Sequence, residues 1–339
     1  MVERDADKLP LKLKLKAWWE GYDAQEFAER MGIGLGSEKD DEHNGSSASD
    51  AAAAPEPAAE DKEDLLAPSD GDAWSDARAA VSQLIWGEGY CGPGGSEQII
   101  SMTQLLALDP KMSMLVVGAS LGGPARALSQ NFGVWITGLE ASGKLVQQGN
   151  EISKVKGMAK KVTLAQYDPE DVAKFDRNYD RIFAKESLFT VEKKKDLIAH
   201  LFDATKKEGL FLLTDYVLGS ESVVMKEEFR EWRDREPTRP FCVLSDELEG
   251  MVKNAGFAVR VSEDISKQYI DLISKAWKDA GTVVAELMKS EDGKHLIDPL
   301  LSEAEFWARR SKMLQSGQLQ VWRILAYKTG GGGKMMSDW

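Results

Sequence analysis

From about Trp74 onward, short apolar runs alternate with longer amphipathic stretches, and that alternation predicts the elements of the fold. Met114 to Ala119 (MLVVGA) reads as a short buried strand, followed by a glycine turn and a helix through Ala127 and Leu128. A second strand is expected from Val134 to Glu140, a helix from Ser142 towards Met158, and a third strand from Val162 to Asp168. Tyr179 to Ala184, a helix from Val191 to Lys207, and Gly209 to Val217 continue the rhythm. Strands separated by helices at this spacing imply an α/β fold, a parallel sheet with helices on both faces. Beyond Val217 the pattern turns largely helical: Met225 to Arg235, Ser245 to Ala255, then long helices to Met288 and from Ser302 to Leu314. Strand patterns interrupt and close it at Ala258 to Ser262 and at Leu319 to Lys328 (LQVWRILAYK).

The first fifth of the chain follows different rules. Residues 37–72 hold twelve acids against Lys39 and Lys62, together with Ala51 to Ala54, Pro55 and Pro57, and almost no large apolar side chain before Leu65. Such a stretch cannot bury enough surface to offset its ordering entropy, so residues 37–75 are expected to be a disordered, self-repelling acidic linker. It tethers an N-terminal segment, residues 1–36, in which Leu11, Leu13 and Leu15 alternate with Lys12, Lys14 and Lys16 ahead of Trp18, Trp19, Tyr22 and Phe27. Residues 8–31 fit either a peripheral membrane contact or a docking contact with protein, this chain's own body included. A flexible tail is expected at 330–339, after the Gly330 to Gly333 run.

Locating the charge changes its meaning. Of the net −13, residues 37–72 carry −10, leaving the body from residue 73 near neutral with no basic stripe, so a nucleic-acid partner is not expected. Two distant cysteines, Cys91 and Cys242, and three histidines make neither a disulfide framework nor a metal site. A charged beginning and no apolar run of spanning length lead to the expectation of a soluble, cytoplasmic protein, membrane-peripheral if residues 8–31 anchor it.

In open parallel sheets ligands bind beyond the carboxyl ends of the strands, so those ends are the place to look for chemistry. The first strand ends in Gly118-Ala119-Ser120-Leu121-Gly122-Gly123-Pro124, a turn that lets a ligand approach the backbone or simply packs helix on strand. The second ends in Glu140, a carboxylate placed to accept two hydrogen bonds from a ribose diol; the third ends in Tyr167-Asp168. Together these strand ends describe a nucleoside pocket.

With those residues in place, the sequence resembles the class I S-adenosylmethionine-dependent methyltransferases, and among them the phosphoethanolamine N-methyltransferase type. The stretches that carry the resemblance are Trp86-Gly87-Glu88-Gly89-Tyr90 with Pro93-Gly94-Gly95; Val117 to Gly123; Leu213-Thr214-Asp215-Tyr216; and Val321-Trp322-Arg323 to Ala326-Tyr327-Lys328. The resemblance implies a methyltransferase domain over 76–329, with a Rossmann-like, seven-stranded, mostly parallel sheet and a helical substrate roof within 220–317. It implies S-adenosylmethionine as cofactor, S-adenosylhomocysteine as product and a small-molecule or lipid head-group acceptor. By the same resemblance Tyr90, Gly94 and Gly95 edge the methionine end; Gly118, Ala119, Ser120 and Gly122 line methionine and ribose; Glu140 holds the ribose; Asp168 and Pro169 frame the adenine. Glu186 would stand near sulfonium and acceptor, and Glu186, Tyr216 and Tyr90 would be the catalytic set.

Departures from the family pattern qualify this. The strand-one acid and a second glycine are replaced within Val116-Val117-Gly118-Ala119-Ser120, and the family's catalytic histidine appears as Thr190, which cannot serve as a neutral-pH base. Arg235, Arg239 and Gln318 are the nearest candidates for phosphate-holding positions, so phosphoethanolamine is not the expected acceptor. Trp232, Phe241, Tyr269, Trp277, Phe306 and Trp307 either cage a quaternary ammonium or pack as core. Two functions remain open: methyl transfer, or a catalytically silent methyltransferase fold acting as an interaction module.

Overall fold

The computed structural model describes residues 72–171 and 175–329; the N-terminal segment, nearly all of the acidic linker and the C-terminal tail lie outside the described residues. Seven strands form one sheet: β1 (Ser113–Val117), β2 (Trp135–Glu140), β3 (Val162–Gln166), β4 (Tyr179–Lys185), β5 (Thr205–Leu218), β6 (Phe257–Asp264) and β7 (Leu319–Lys328). Their spatial order is β3-β2-β1-β4-β5-β7-β6. The first five pair in parallel, while β7 runs antiparallel to both β5 and β6. The Rossmann-like architecture is therefore as expected, with an antiparallel hairpin-like edge.

Residues 113–117 form a central strand because four consecutive positions, Met114 to Val117, are buried, as a strand covered on both faces requires. The first seven helices are α1 (Asp76–Trp86), α2 (Gly95–Thr103), α3 (Gly123–Phe132), α4 (Gly143–Val155), α5 (Lys194–Ala204), α6 (Glu227–Asp234) and α7 (Ser245–Asn254), of which α3, α4, α5 and α7 pack directly on the strands. On one face Leu197, Ile198 and Leu201 of α5 and Leu248 and Val252 of α7 join Leu115, Ile182, Phe211, Leu213 and Ile324 in a single apolar core. The remaining helices, α8 (Ser266–Trp277), α9 (Ala280–Leu287), α10 (Glu291–Lys294) and α11 (Ile297–Gln315), pack with α1 and α6 on one another and on β7.

Two sequence expectations are corrected. The helix expected to reach Lys207 stops at Ala204: Thr205 takes an extended backbone and pairs with Tyr179, so β5 begins four residues before Gly209. Pairing across the sheet overrides a helical period that Lys206 and Lys207 would have continued. The 220–317 region is also not all roof, since α7 belongs to the main core and β6 is the sheet's edge strand. The side chains bordering the strand ends come from α11, from the segment after α6 and, from outside that range, from α1.

Replacing the fully buried Leu213 by alanine should cost about 2–5 kcal/mol, whereas Met225→Ala at an exposed position should stay within about 0.5 kcal/mol. Paired denaturant melts of the two variants measure the difference.

Candidate functional site

Because β1 pairs in parallel with β2 on one side and β4 on the other, Val117 lies opposite both Leu139 and Ala184. The chain ends just beyond, Gly118, Glu140 and Glu186, consequently meet at one edge of the sheet, where the strand order reverses. A cleft of about 650 Å³ opens there, lined by these three residues and by Tyr90, Ser120, Pro169 and Thr190 among others.

Gly118 makes the turn possible. Its φ is +74°, and a Cβ would stand 2.7 Å from both the Lys185 carbonyl oxygen and Ser187 Cβ. Ser120 (φ +53°) and Glu186 (φ +43°) face the cleft from opposite sides, both held in the left-handed region that costs an L-residue on the order of 1–3 kcal/mol. The Glu140 carboxylate is fixed by the backbone N–H groups of Ser120 (2.7 Å) and Ser142 (3.1 Å). Burial pushes its pKa up while these hydrogen bonds pull it down, so the carboxylate is preorganised to accept further donors. Asp72 joins this corner: its carboxylate accepts from Ser142 Oγ at 2.8 Å and Lys144 N at 3.3 Å, drawing the stretch Asp72 to Trp74 into the cleft wall.

At the opposite end the Glu186 carboxylate accepts from Thr214 Oγ1 at 3.1 Å and from the Tyr269 hydroxyl, and pairs with Lys185. Tyr90, nearly buried, exchanges a 2.9 Å hydrogen bond with Ser96. Deeper, the Arg310 guanidinium pairs with Glu236 and sits 4.5 to 5.3 Å from the ring centroids of Phe306, Tyr216, Phe189 and Trp307. Cys91 also borders the cleft, but burial pushes its thiol up to about 12, which removes it as a nucleophile.

Several expected residues are elsewhere. Gly94, Gly95, Ala119 and Gly122 do not line the cleft. Gly122 packs where a Cβ would meet Arg126 and Leu164, and Ala119 is fully buried, its N–H donating to the Leu139 carbonyl. Asp168 is exposed, accepts from the Glu170 N–H at 2.9 Å and faces a second cavity with Asp171 and Phe175; its neighbours Tyr167, Pro169 and Glu170 reach the cleft instead. Tyr216 lies 2% exposed beneath Arg310 rather than on the cleft surface, with the guanidinium against both its ring and its hydroxyl. Arg235 and Arg239 are exposed and outside the lining, as is the buried Gln318.

Of the aromatics, Trp232, Tyr269, Trp277, Phe306 and Trp307 are core residues at 5% exposure or less. The cage two of them contribute to encloses the chain's own arginine, not an empty space.

The sequence reading missed Lys185, Glu236, Arg310 and the Arg78–Glu303 pair. Arg78 Nε meets Glu303 Oε2 at 3.0 Å, tying α1 to α11, and Glu303 Oε1 accepts from Trp307 Nε1 at 2.9 Å. A signal existed: Glu303, Phe306, Trp307, Arg310, Met313 and Leu314 form the buried stripe of α11, and two charges inside an apolar stripe call for partners.

Residues 96–261 match the protein family described as a methyltransferase domain. Those residues are a methyltransferase domain. It is 24% identical over 247 residues to the phosphoethanolamine N-methyltransferase of Plasmodium falciparum, covering 70% of this chain and 87% of that one. It is 27% identical over 222 residues to phosphoethanolamine N-methyltransferase 1 of Zea mays, covering 65% of this chain and 40% of the maize protein. Among solved structures, the fold matches Haemonchus contortus phosphoethanolamine N-methyltransferase 2, which holds phosphomonomethylethanolamine and S-adenosylhomocysteine. There the TM-score is 0.66 at 20% identity, over 76% of this chain and 58% of the nematode one. The methyltransferase domain thus spans well under two thirds of the maize and nematode proteins.

One buried acid of this methyltransferase domain carries a pH signature. Burial pushes Asp215, within β5, up to about 8, although it accepts the Tyr216 N–H at 3.0 Å. Folding therefore takes up a proton between the acid's unfolded value of about 4 and its folded one, and stability falls as pH rises through that window. Asp215→Asn should be more stable than wild type at pH 8, with the advantage shrinking towards pH 4. Urea midpoints across that range test it.

Proposed function

We propose that this chain transfers the methyl group of S-adenosylmethionine to a small-molecule acceptor. The observation that carries the reading is the Glu140 corner: a carboxylate clamped by two backbone N–H groups, in a cleft at the sheet's switch point, with accepting capacity left for a vicinal diol. The cofactor's fit is supported further by the cleft volume and by the Ser120 hydroxyl, which lines the cleft beside the Cys91 thiol. When bound, S-adenosylmethionine supplies an already activated methyl group on a sulfonium.

What the residues must do is therefore modest. Glu140 and Ser120 hold the ribose end, Tyr167 and Pro169 flank the base, and Gly118 and Tyr90 border the methionine end. Glu186, kept in place by Lys185, Thr214 and Tyr269, orients the acceptor, and the walls Phe306 and Trp307 exclude water. Tyr216 acts through Arg310, against which it packs. Thr190 borders the cleft and donates to the Ser187 carbonyl at 3.4 Å, so no histidine base serves the acceptor there. With no base there, the arrangement suits an acceptor that enters the cleft already deprotonated, with a free lone pair on its nucleophilic atom.

The alternative, a silent fold used for interaction, draws on Thr190 and on the self-filled aromatic cage. A lipid head group as acceptor, with residues 8–31 on a membrane, is a narrower version of the main reading; no helix among the described residues is long and apolar enough to cross a membrane. Calorimetry on the full chain should give saturable S-adenosylhomocysteine binding, and Glu140→Ala should weaken it at least about tenfold, the loss of roughly 1.4 kcal/mol. Binding by wild type without turnover of any amine would favour the silent module. No binding at all would remove both the cofactor and the reaction.

A further inference from the structure

The charges that line the cleft are unequal in number and in freedom. Among the described residues, three cations border it: Arg78, Lys185 and Arg310. Each is already paired with an acid, Arg78 with Glu303, Lys185 with Glu186 and Arg310 with Glu236. Against these three stand five lining carboxylates, Asp72, Glu140, Glu170, Glu186 and Glu236. An anion entering the site meets no unpaired cation and an excess of negative charge, which raises the cost of desolvating it.

Arg310 is the one cation whose position would suit an acceptor's anionic end. It lies beside Phe306 and Trp307, and its guanidinium stands 4.5 to 5.3 Å from the centroids of four aromatic rings. Glu236 reaches it from the segment Glu236, Pro237 and Thr238, which itself forms part of the lining. The side chains of both partners are at least nine-tenths buried, so either charge left alone would be strongly unfavourable.

Building on the methyl-transfer reading, we infer that Glu236 is a specificity-determining residue: by occupying Arg310 it makes the acceptor site refuse phosphate- or carboxylate-bearing molecules and take neutral amines. The net-negative lining also suits the product of such a reaction, because methylating a neutral amine leaves a cationic ammonium in the cleft. The nematode enzyme that shares the fold was solved with a phosphorylated acceptor. In this chain a phosphate would have to displace Glu236 from Arg310 and leave that carboxylate buried without a partner.

The probe is inorganic phosphate, titrated calorimetrically into the full chain saturated with S-adenosylhomocysteine. Wild type should show no saturable phosphate binding at millimolar concentration. Glu236→Gln, which keeps shape and a hydrogen-bonding oxygen but releases the arginine's charge, should gain at least about tenfold in phosphate affinity. The double variant Glu236→Gln/Arg310→Gln should lose that gain. Saturable phosphate binding by wild type overturns the inference, as does Glu236→Gln binding S-adenosylhomocysteine normally without gaining phosphate. Should Glu236→Gln fail to fold, competition in wild type decides: a phosphorylated amine inhibiting as well as its unphosphorylated counterpart sinks the idea, and inhibition by the neutral amine alone supports it. Failure of the parent reading looks different, because wild type would then bind no S-adenosylhomocysteine in the first step.

Discussion

Parallel hydrogen bonding of β1 to two neighbours that continue in opposite directions is the constraint on which the rest of the site depends. A strand in that position leaves a crevice beyond its carboxyl end, since the following helices depart to opposite faces of the sheet. The register then decides which residues meet. With Val117 opposite Leu139 and Ala184, the residues immediately after them form the rim, and a slip of one residue would turn every side chain to the other face. The left-handed backbone at Gly118, Ser120 and Glu186 is tolerated because the buried strands on either side hold it in place.

Three ion pairs organise what the sheet does not. Arg78–Glu303 joins the helix preceding the first glycine turn to the long C-terminal helix, Lys185–Glu186 stiffens the end of β4, and Arg310–Glu236 secures the loop after α6. Buried pairs of this kind add little net stability compared with apolar packing, but removing one partner leaves an expensive lone charge. Their contribution here is geometric. They give the cover over the strand ends a single arrangement, and they do so by using up the cations that line the cleft.

How much of this could be read in the sequence varies with the range of the interaction. β7 was legible to its boundaries, Leu319 and Lys328, because its alternation is local and Gly317 precedes it. Glu140 and Gly118 were legible because strand ends in an alternating α/β pattern are predictable places. The end of α5 was not, since Thr205 becomes strand only through its pairing with Tyr179. Asp168 carried the right residue type at the right strand end, yet its side chain is spent on the Glu170 N–H. Arg310 and Glu236, which lie 74 positions apart, had no local pattern to join them. The aromatics were read as either cage or core, and the structure makes both partly true: they are core, and the cation they surround belongs to the protein.

Thr190, where this chain departs from the family pattern, and the compensated Arg310 follow one logic. A base at the position of Thr190 would be needed for an acceptor that must lose a proton before it attacks, and a free cation would be needed for an acceptor that carries an anion. An amine that enters already deprotonated and carries no anionic group needs neither: its lone pair attacks directly, and the charge that develops is positive. A cleft with five carboxylates and only pre-paired cations favours that charge in the transition state as well as in the product. Had the cations been free, the loss of the base would be an isolated defect pointing to a silent fold. Both absences at one end of an otherwise intact cleft instead favour a change of acceptor.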